Sequence, residues 1–328
     1  MRLATYNVEW FAKLFDRGDH LIEDDAPSGH AGVTQGEQVA ALGRVFTALE
    51  ADAIVIIEAP NTGRTQDTVR ALERFAARFG LRQRKAVMGF ANPTHQELAL
   101  LFDPDVISAR HDPIGADSGA AGLVRFDQQA RVDLGLPDGP DLARFSKPPM
   151  ELALRTVQGA DLRLIAAHLK SKAPHGDTSE AGVQRLGLAN CRKQLAQAAW
   201  LRARVDLHRQ RDEPVIVIGD LNDGPGMDAF EQVLGRSSVE TVLGDDLVDP
   251  HARDPQTHTS ARFVIPGRAE WEEGLLDYIM LSPDLMAHDP CWRIWHPLRD
   301  AALQGDPALC RALLTASDHF PVTLDISI

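Results

Sequence analysis

Ala53-Ile54-Val55-Ile56-Ile57 is an unbroken apolar run that stops at Glu58. It lacks the polar alternation of a strand with one wet face, and it is far shorter than the roughly 20 residues a membrane span needs. It reads as a strand buried on both faces, so the chain must supply apolar cover above and below the sheet that contains it. The 328 residues, 44% of them hydrophobic and 25% charged, have the length and composition to do so, and they exclude collagen-like, disordered and coiled-coil classes. Val215 to Ile218 is no longer, and no segment is expected to cross a bilayer.

The formal charge of −13, from 34 basic and 47 acidic residues, repels polyanions, so any grip on a phosphate must be local. Three cysteines, Cys191, Cys291 and Cys310, have no CxxC spacing, which argues against both a disulfide framework and a zinc knuckle. The segment from Met1 to Asn7 shows no signal-peptide stretch, so a cytoplasmic protein is expected, with no protein partner inferable.

Short β-rich runs alternate with helical periodicity early in the chain, as when helices cover a sheet. After a first strand at Leu3 to Asn7, Thr34-Gln35-Gly36-Glu37 has capping-box spacing. Val39, Leu42, Phe46 and Leu49 then recur at helical intervals, predicting a helix over about 35–50. A second helix carries Val69, Leu72, Ala76 and Phe79, ahead of strand-like pieces at Leu98–Phe102 and Val106–Ala109. Residues 112–149, rich in Asp, Gly and Pro, read as a long loop excursion within one domain spanning 1–328. Leu152–Val157 and Leu162–Ala167 form a predicted hairpin whose second strand stops at His168. A helix over about 181–209 has Leu188, Cys191, Leu195, Ala198, Leu201 and Val205 as its apolar stripe and reads as structural. Strands at 215–219, 275–281 and 320–328 complete the set, and the economical architecture is two sheets face to face with helices outside.

Five of these runs begin or end on a polar residue of catalytic type: Asn7, Glu58, His168, Asp220 with Asn222, and Asp318 with His319. Side chains from several strand ends converge naturally at one edge of packed sheets, where a pocket forms. The set suits phosphoester hydrolysis. A hard divalent cation takes oxygen ligands such as Glu58 and Asp318, while charge developing on a phosphoryl group takes donors such as His168, Asn7 and His319. Asp277, inside an apolar strand, needs a partner, and His319 is the obvious one. Lys170, Lys172 and His175 follow His168 directly and are candidates for gripping a substrate phosphate, although each alone reads as ordinary surface charge. Trp10, three residues past Asn7, is the candidate for stacking on a base or an apolar substrate part. Asp220 to Glu231 superficially matches a calcium loop, but Gly224 and Pro225 stand where that motif wants an oxygen ligand and a glycine.

Thr5-Tyr6-Asn7-Val8-Glu9-Trp10-Phe11, Ile56-Ile57-Glu58, Ala167-His168-Leu169-Lys170-Ser171, Gly219-Asp220-Leu221-Asn222-Asp223, Leu276-Asp277-Tyr278-Ile279 and Ser317-Asp318-His319-Phe320-Pro321-Val322 occur in this order. They resemble the successive motifs of the endonuclease/exonuclease/phosphatase superfamily, of deoxyribonuclease-I-like fold, and the resemblance runs from residue 5 to 322. It implies an α/β fold, a four-layer αββα sandwich of two packed mixed β-sheets flanked by helices, with one active site at the sheet edge. It also implies an Mg²⁺ or Mn²⁺ cofactor, with Glu58 as the main metal carboxylate and Asn7 and Asp318 as direct or water-mediated ligands. Asp220 would orient or deprotonate the attacking water and Asn222 would hold a phosphoryl oxygen. His319, paired with Asp277, would donate to the phosphoryl group, and His168 would stabilise the oxyanion.

Lys147 stands where many members carry an arginine, and Arg192, Lys193 and Gln194 do not match the usual Arg-containing motif. Both departures bear on substrate contacts, Lys147 included, rather than on the chemistry. The reading is a metal-dependent phosphoesterase of phosphodiesterase or nuclease type, its substrate a phosphoester such as a nucleic acid. One alternative is a phosphatase or phosphodiesterase acting on small phosphorylated molecules or phospholipid head groups, which acidic clusters at 16–25 and 244–254 favour over DNA binding. A dinuclear metallophosphoesterase would need Asp-x-His and Gly-Asn-His contexts that the chain lacks. A non-catalytic binding protein keeping the same fold is the last alternative, and the complete polar set speaks against it.

Overall fold

Side chains of the Ala53–Ala59 strand divide by parity in the computed structural model. Ile54 and Ile56 enter one apolar cluster, while Ala53, Val55 and Ile57 enter another on the opposite face. The structure describes residues 1–174, 176, 179–253, 258–264 and 271–328. In chain order the strands are β1 (Arg2–Asn7), β2 (Ala53–Ala59), β3 (Lys85–Met88), β4 (Glu97–Phe102), β5 (Ile107–His111), β6 (Gln129–Val132), β7 (Asp141–Arg144), β8 (Met150–Thr156), β9 (Asp161–His168), β10 (Val215–Asp220), β11 (Ala261–Val264), β12 (Trp271–Gly274), β13 (Asp277–Leu281), β14 (Cys291–Ile294) and β15 (Val322–Asp325). The helices are α1 (Gln35–Leu49), α2 (Thr68–Phe79), α3 (Glu180–Arg209), α4 (Ala229–Leu234), α5 (Ser238–Leu243) and α6 (Pro307–Ala316).

Six strands form one sheet in the order β14-β15-β1-β2-β4-β3, and five form a second in the order β13-β10-β9-β8-β5. Each sheet is mixed, with one parallel pair at its heart: β1 with β2, and β9 with β10. A parallel pair needs a crossover, which α1 supplies in the first sheet and α3 in the second. Val55, Ile57, Leu100, Leu164, Ile216 and Ile218 fill the layer between the sheets. The outer face of the first sheet is covered by α1, α2 and α6, and that of the second by α3. This is the αββα layering.

The capping box is present at α1, where the Glu37 amide donates to Thr34 Oγ1 at 3.2 Å and the Thr34 amide donates to Glu37 Oε2 at 2.9 Å. The 112–149 excursion, expected as a long loop, is more ordered than that. It contains the β6–β7 hairpin, and Val124, Phe126, Val132 and Phe145 pack with Trp200 of α3. Arg204, fully buried on α3, ties it down by donating to the carbonyls of Gly122 at 2.9 Å and Val124 at 2.7 Å. No helix among the described residues is long and apolar enough to cross a membrane.

Candidate active site

The two sheets bring their polar ends together where the parallel pairs finish. Asn7 lies in register with Ile57, and Asp220 with both His168 and Asp277. The segment leading into β15 reaches the same edge, bridged to β11 at Ala261 and His319. The first sheet therefore supplies Asn7, Glu58, Asp318 and His319, and the second supplies His168, Asp220, Asn222 and Asp277.

Asp220 sits at the centre. Its buried carboxylate accepts from Asn7 Nδ2 at 3.0 Å, from the Asn222 amide at 2.7 Å and from Asn222 Nδ2 at 3.2 Å. His168 Nε2 lies 3.5 Å away and His319 Nε2 4.0 Å away. Burial pushes this carboxyl up to about 7, with His319 pulling it down and Asp277 adding to the rise. Gly219, just before it, is obligatory: at φ +133, a Cβ would meet the Ala167 carbonyl oxygen at 2.2 Å.

His319 Nδ1 lies 2.8 Å from Asp277 Oδ2, so the ring donates there and turns Nε2 toward Asp220 and toward Asp318 Oδ1, 4.0 Å off. Burial alone would lower this imidazole. The charge and hydrogen bond of Asp277, joined by Asp220 and Asp318, raise it well above the usual range instead. Ser260 Oγ fixes Asp277 by donating to the same Oδ2 at 2.7 Å, and it accepts from the Leu276 and Asp277 amides at 3.0 and 2.9 Å. Ser260 was invisible as a site residue in the sequence, because a serine outside any motif carries no signal.

A β-bulge places Glu58. Pairing of β2 with β4 skips from Ile57–Leu98 to Ala59–Glu97, and Glu58 takes φ +62, a left-handed conformation rare for a residue with a side chain. Its Oε2 accepts from the Trp10 amide at 2.9 Å. Glu9, Trp10 and Asn222 are also left-handed, at φ 46, 61 and 52. Strain of this kind persists where surrounding contacts over-determine a functional orientation.

Glu9 was overlooked in the sequence, although the Asn7-x-Glu9 spacing puts both side chains on one face of a strand end. Its Oε2 accepts from the Asp318 amide at 3.2 Å and contacts His30 Nδ1. His30 Nε2 meets the Leu314 carbonyl at 3.2 Å, so both ring nitrogens face acceptors and the ring carries two protons. Burial opposes that charge, but Glu9 outweighs it and raises His30 above its ordinary value. Burial likewise pushes Asp318 up to about 6, against His319 and His30 and with Glu9 and Glu58 reinforcing the rise. The carboxylates of Glu9, Glu58 and Asp318 repel one another at this edge and are hard-oxygen donors of the kind a divalent cation takes, while the groups of described residues whose ligand atoms all lie within 4.8 Å of one another are Asp220, Asp277 and His319, and Asp223, Asp228 and Glu231.

Lys147 Nζ lies 2.9 and 3.1 Å from the two ring nitrogens of His168. Burial, then Lys147 and His319, hold His168 well below the usual imidazole range, so it is neutral. Lys170 is anchored beside it, its amide donating to Gln197 Oε1 at 2.8 Å. Lys172 is spent inside the protein, against Asp223, Asp228 at 2.8 Å and Glu231 at 3.3 Å. His175 and Asp254 lie outside the described residues. Helix α3 also braces this edge: Gln194 donates to the carbonyls of Leu221 at 3.1 Å and Asn222 at 3.0 Å, holding the loop after β10. Polar residues on the buried face of an otherwise apolar stripe were the available signal. Trp10 is 39% exposed, and the Lys13 ammonium lies over its ring, 4.7 Å from the centroid, so one face of the indole is already taken by a cation.

Lys172→Met is expected to strand three carboxylates without their cation and to cost about 3 kcal/mol of stability. An unchanged urea midpoint would show that the ion cluster contributes nothing. A cleft of about 760 Å³ at the opposite end of the strands is a separate feature, where Arg2 and Arg82 already pair with Asp325 and Asp52.

Comparison with known proteins identifies the family and the fold. The profile of the Endonuclease/Exonuclease/phosphatase family matches residues 4–319. Among solved structures, TDP2 from Caenorhabditis elegans superposes with a TM-score of 0.53 at 12% identity, over 100% of this chain and 74% of that one. A 3′ phosphatase from Neisseria, NExo, bound to product DNA hairpin, gives 0.53 at 14% identity over 100% of both chains. An AP endonuclease from Archaeoglobus fulgidus gives 0.50 at 12% identity, also over 100% of both. Comparison with curated proteins gives no match.

Proposed function

Because this chain belongs to the endonuclease/exonuclease/phosphatase family, we propose that its sheet edge hydrolyses phosphodiesters with a bound divalent cation, Mg²⁺ or Mn²⁺. The observation that carries the reading is the sequence Asp277–His319–Asp220 set against the carboxylates Glu9, Glu58 and Asp318. Glu58, Asp318 and Glu9, with the Asn7 amide, would hold the cation, which when bound offsets negative charge on the transferring phosphoryl group. Asp220, buried among donors, orients the attacking water and takes its proton. His319, kept doubly protonated by Asp277, presents Nε2–H to a phosphoryl oxygen as charge develops there. Asn222 and the neutral His168 with Lys147 offer further donors around the same group.

Dialysis against a chelator is expected to abolish hydrolysis of bis(p-nitrophenyl) phosphate, and Mg²⁺ or Mn²⁺ to restore it. Full turnover in the chelated enzyme would refute the reading. A second test uses Asp220 itself. A carboxyl whose folded-state pKa is raised contributes stability below its unfolded value near 3.9, and loses it as pH rises through about 7. Asp220→Asn is therefore expected to gain thermal stability relative to the parent between pH 5 and pH 8, while losing activity. A constant difference across that range would show that Asp220 is not buried under strain.

A further inference from the structure

Gln38 is fully buried on α1, a helix whose other buried residues are all apolar or glycine. A buried amide costs free energy unless both of its ends are bonded. Here the donor end is used: Gln38 Nε2 donates to the Ala316 carbonyl at 2.9 Å and reaches the Glu9 carbonyl at 3.4 Å. Its Oε1 has no partner among the described residues. A leucine or methionine would fill similar space without stranding an acceptor, so stability alone does not account for a glutamine at this position.

The segments that its donor end joins do account for it. Ala316 closes α6, and Ser317 after it is extended, at φ −164 and ψ 161, so the helix lacks the left-handed cap that would satisfy its last carbonyls. Side chains meet them instead: the Leu314 carbonyl by His30 Nε2 at 3.2 Å and the Ala316 carbonyl by Gln38. Asp318 and His319 follow directly. On the other side of the clasp, Glu9 and Trp10 hold the left-handed backbones that persist only where contacts over-determine them. Ser317 Oγ completes the join, donating to the Asn7 carbonyl at 2.8 Å and accepting from the His319 amide at 3.1 Å. We infer that Gln38 is a positioning residue, which from α1 sets the separation between the Asn7–Glu9 turn and the Asp318–His319 segment, and with it the aim of His319 toward Asp220 and Asp277. Its effect on turnover rests on the phosphoesterase reading, whereas the clasp itself does not. Asn222, His168 and Lys147 stand on segments that Gln38 does not bond, so substrate affinity survives its loss while the chemical step suffers.

The test is Gln38→Met, which keeps an unbranched side chain of similar size and removes the donor, read by amide hydrogen exchange and by steady-state kinetics on bis(p-nitrophenyl) phosphate. The Asp318 and His319 amides, which donate to Glu9 Oε2 and Ser317 Oγ, are expected to exchange about tenfold faster, with the Val217 and Ile218 amides of β10 unchanged. In turnover, kcat is expected to fall about tenfold or more, with KM within about twofold of the parental value. Val39→Ala, a core truncation at the next position of α1, is the control for a general loosening of that helix. It is expected to keep the parental kcat and parental exchange at Asp318 and His319. Unchanged exchange at those two amides, an acceleration shared by β10, a loss of kcat matched in Val39→Ala, or a loss of kcat/KM that lies wholly in KM each overturns the inference. If the parent hydrolyses no diester, the phosphoesterase reading falls and the exchange comparison still decides the clasp. Should Gln38→Met fail to fold, Gln38→Asn, which keeps the amide but withdraws it by one methylene, is read in the same way.

Discussion

Glu58→Gln is expected to cut turnover of bis(p-nitrophenyl) phosphate by about a thousandfold or more, with the folded protein intact. The substitution keeps the shape of the side chain and leaves an amide oxygen to accept from the Trp10 amide, so neither the bulge nor the φ of +62 is disturbed. What it removes is the negative charge that pairs with a cation, and that charge belongs to a set already crowded enough to push Asp318 up to about 6. Taking away one member should lower Asp318 while weakening Mg²⁺ binding, the latter read by calorimetry independently of catalysis. A variant that keeps parental turnover and parental Mg²⁺ affinity would remove Glu58 from the site.

His319→Ala is expected to reduce turnover by about a hundredfold to ten-thousandfold with little change in metal affinity, because the ring contributes a proton donor rather than a ligand. The pH profile separates this role from a merely structural one. Activity requires Asp220 ionised, so the rising limb falls near pH 7 and moves lower when a cation adds positive charge nearby. It also requires His319 protonated, and because Asp277 raises that imidazole, the falling limb lies well above the ordinary histidine range. Asp277→Asn withdraws the supporting charge, so the falling limb is expected to move to lower pH, with the rising limb lowered as well by loss of a like charge next to Asp220. A falling limb that stays in place would exclude the imidazolium as the acid.

Much of this was legible in the sequence because the physics of a doubly buried strand is local. Ala53 to Ile57 has no polar residue to spare, and the first one after it, Glu58, sits where the sheet meets water. The same logic located Asn7, His168 and Asp220. Less legible were features created by contacts distant in sequence. The β6 and β7 strands are four residues each, too short to show a period, and their burial depends on Arg204 and Trp200 of a helix far downstream. Lys172 looks like a phosphate ligand by its nearness to His168, yet its partners lie more than fifty residues on, at Asp223, Asp228 and Glu231. The bulge at Glu58 is a feature of the pairing of β2 with β4, which no pattern within the β2 sequence alone reveals.

The sheet edge is stitched across the two sheets by Asn7 Nδ2 on Asp220 at 3.0 Å and His319 Nδ1 on Asp277 at 2.8 Å. The spacing of these polar groups is thus inherited from the thickness of the oily filling between them, where Val55, Ile57, Ile216 and Ile218 meet. Trimming those methyl groups would act on the enzyme like a loosened vice: the jaws survive, but the workpiece is no longer gripped at the right width.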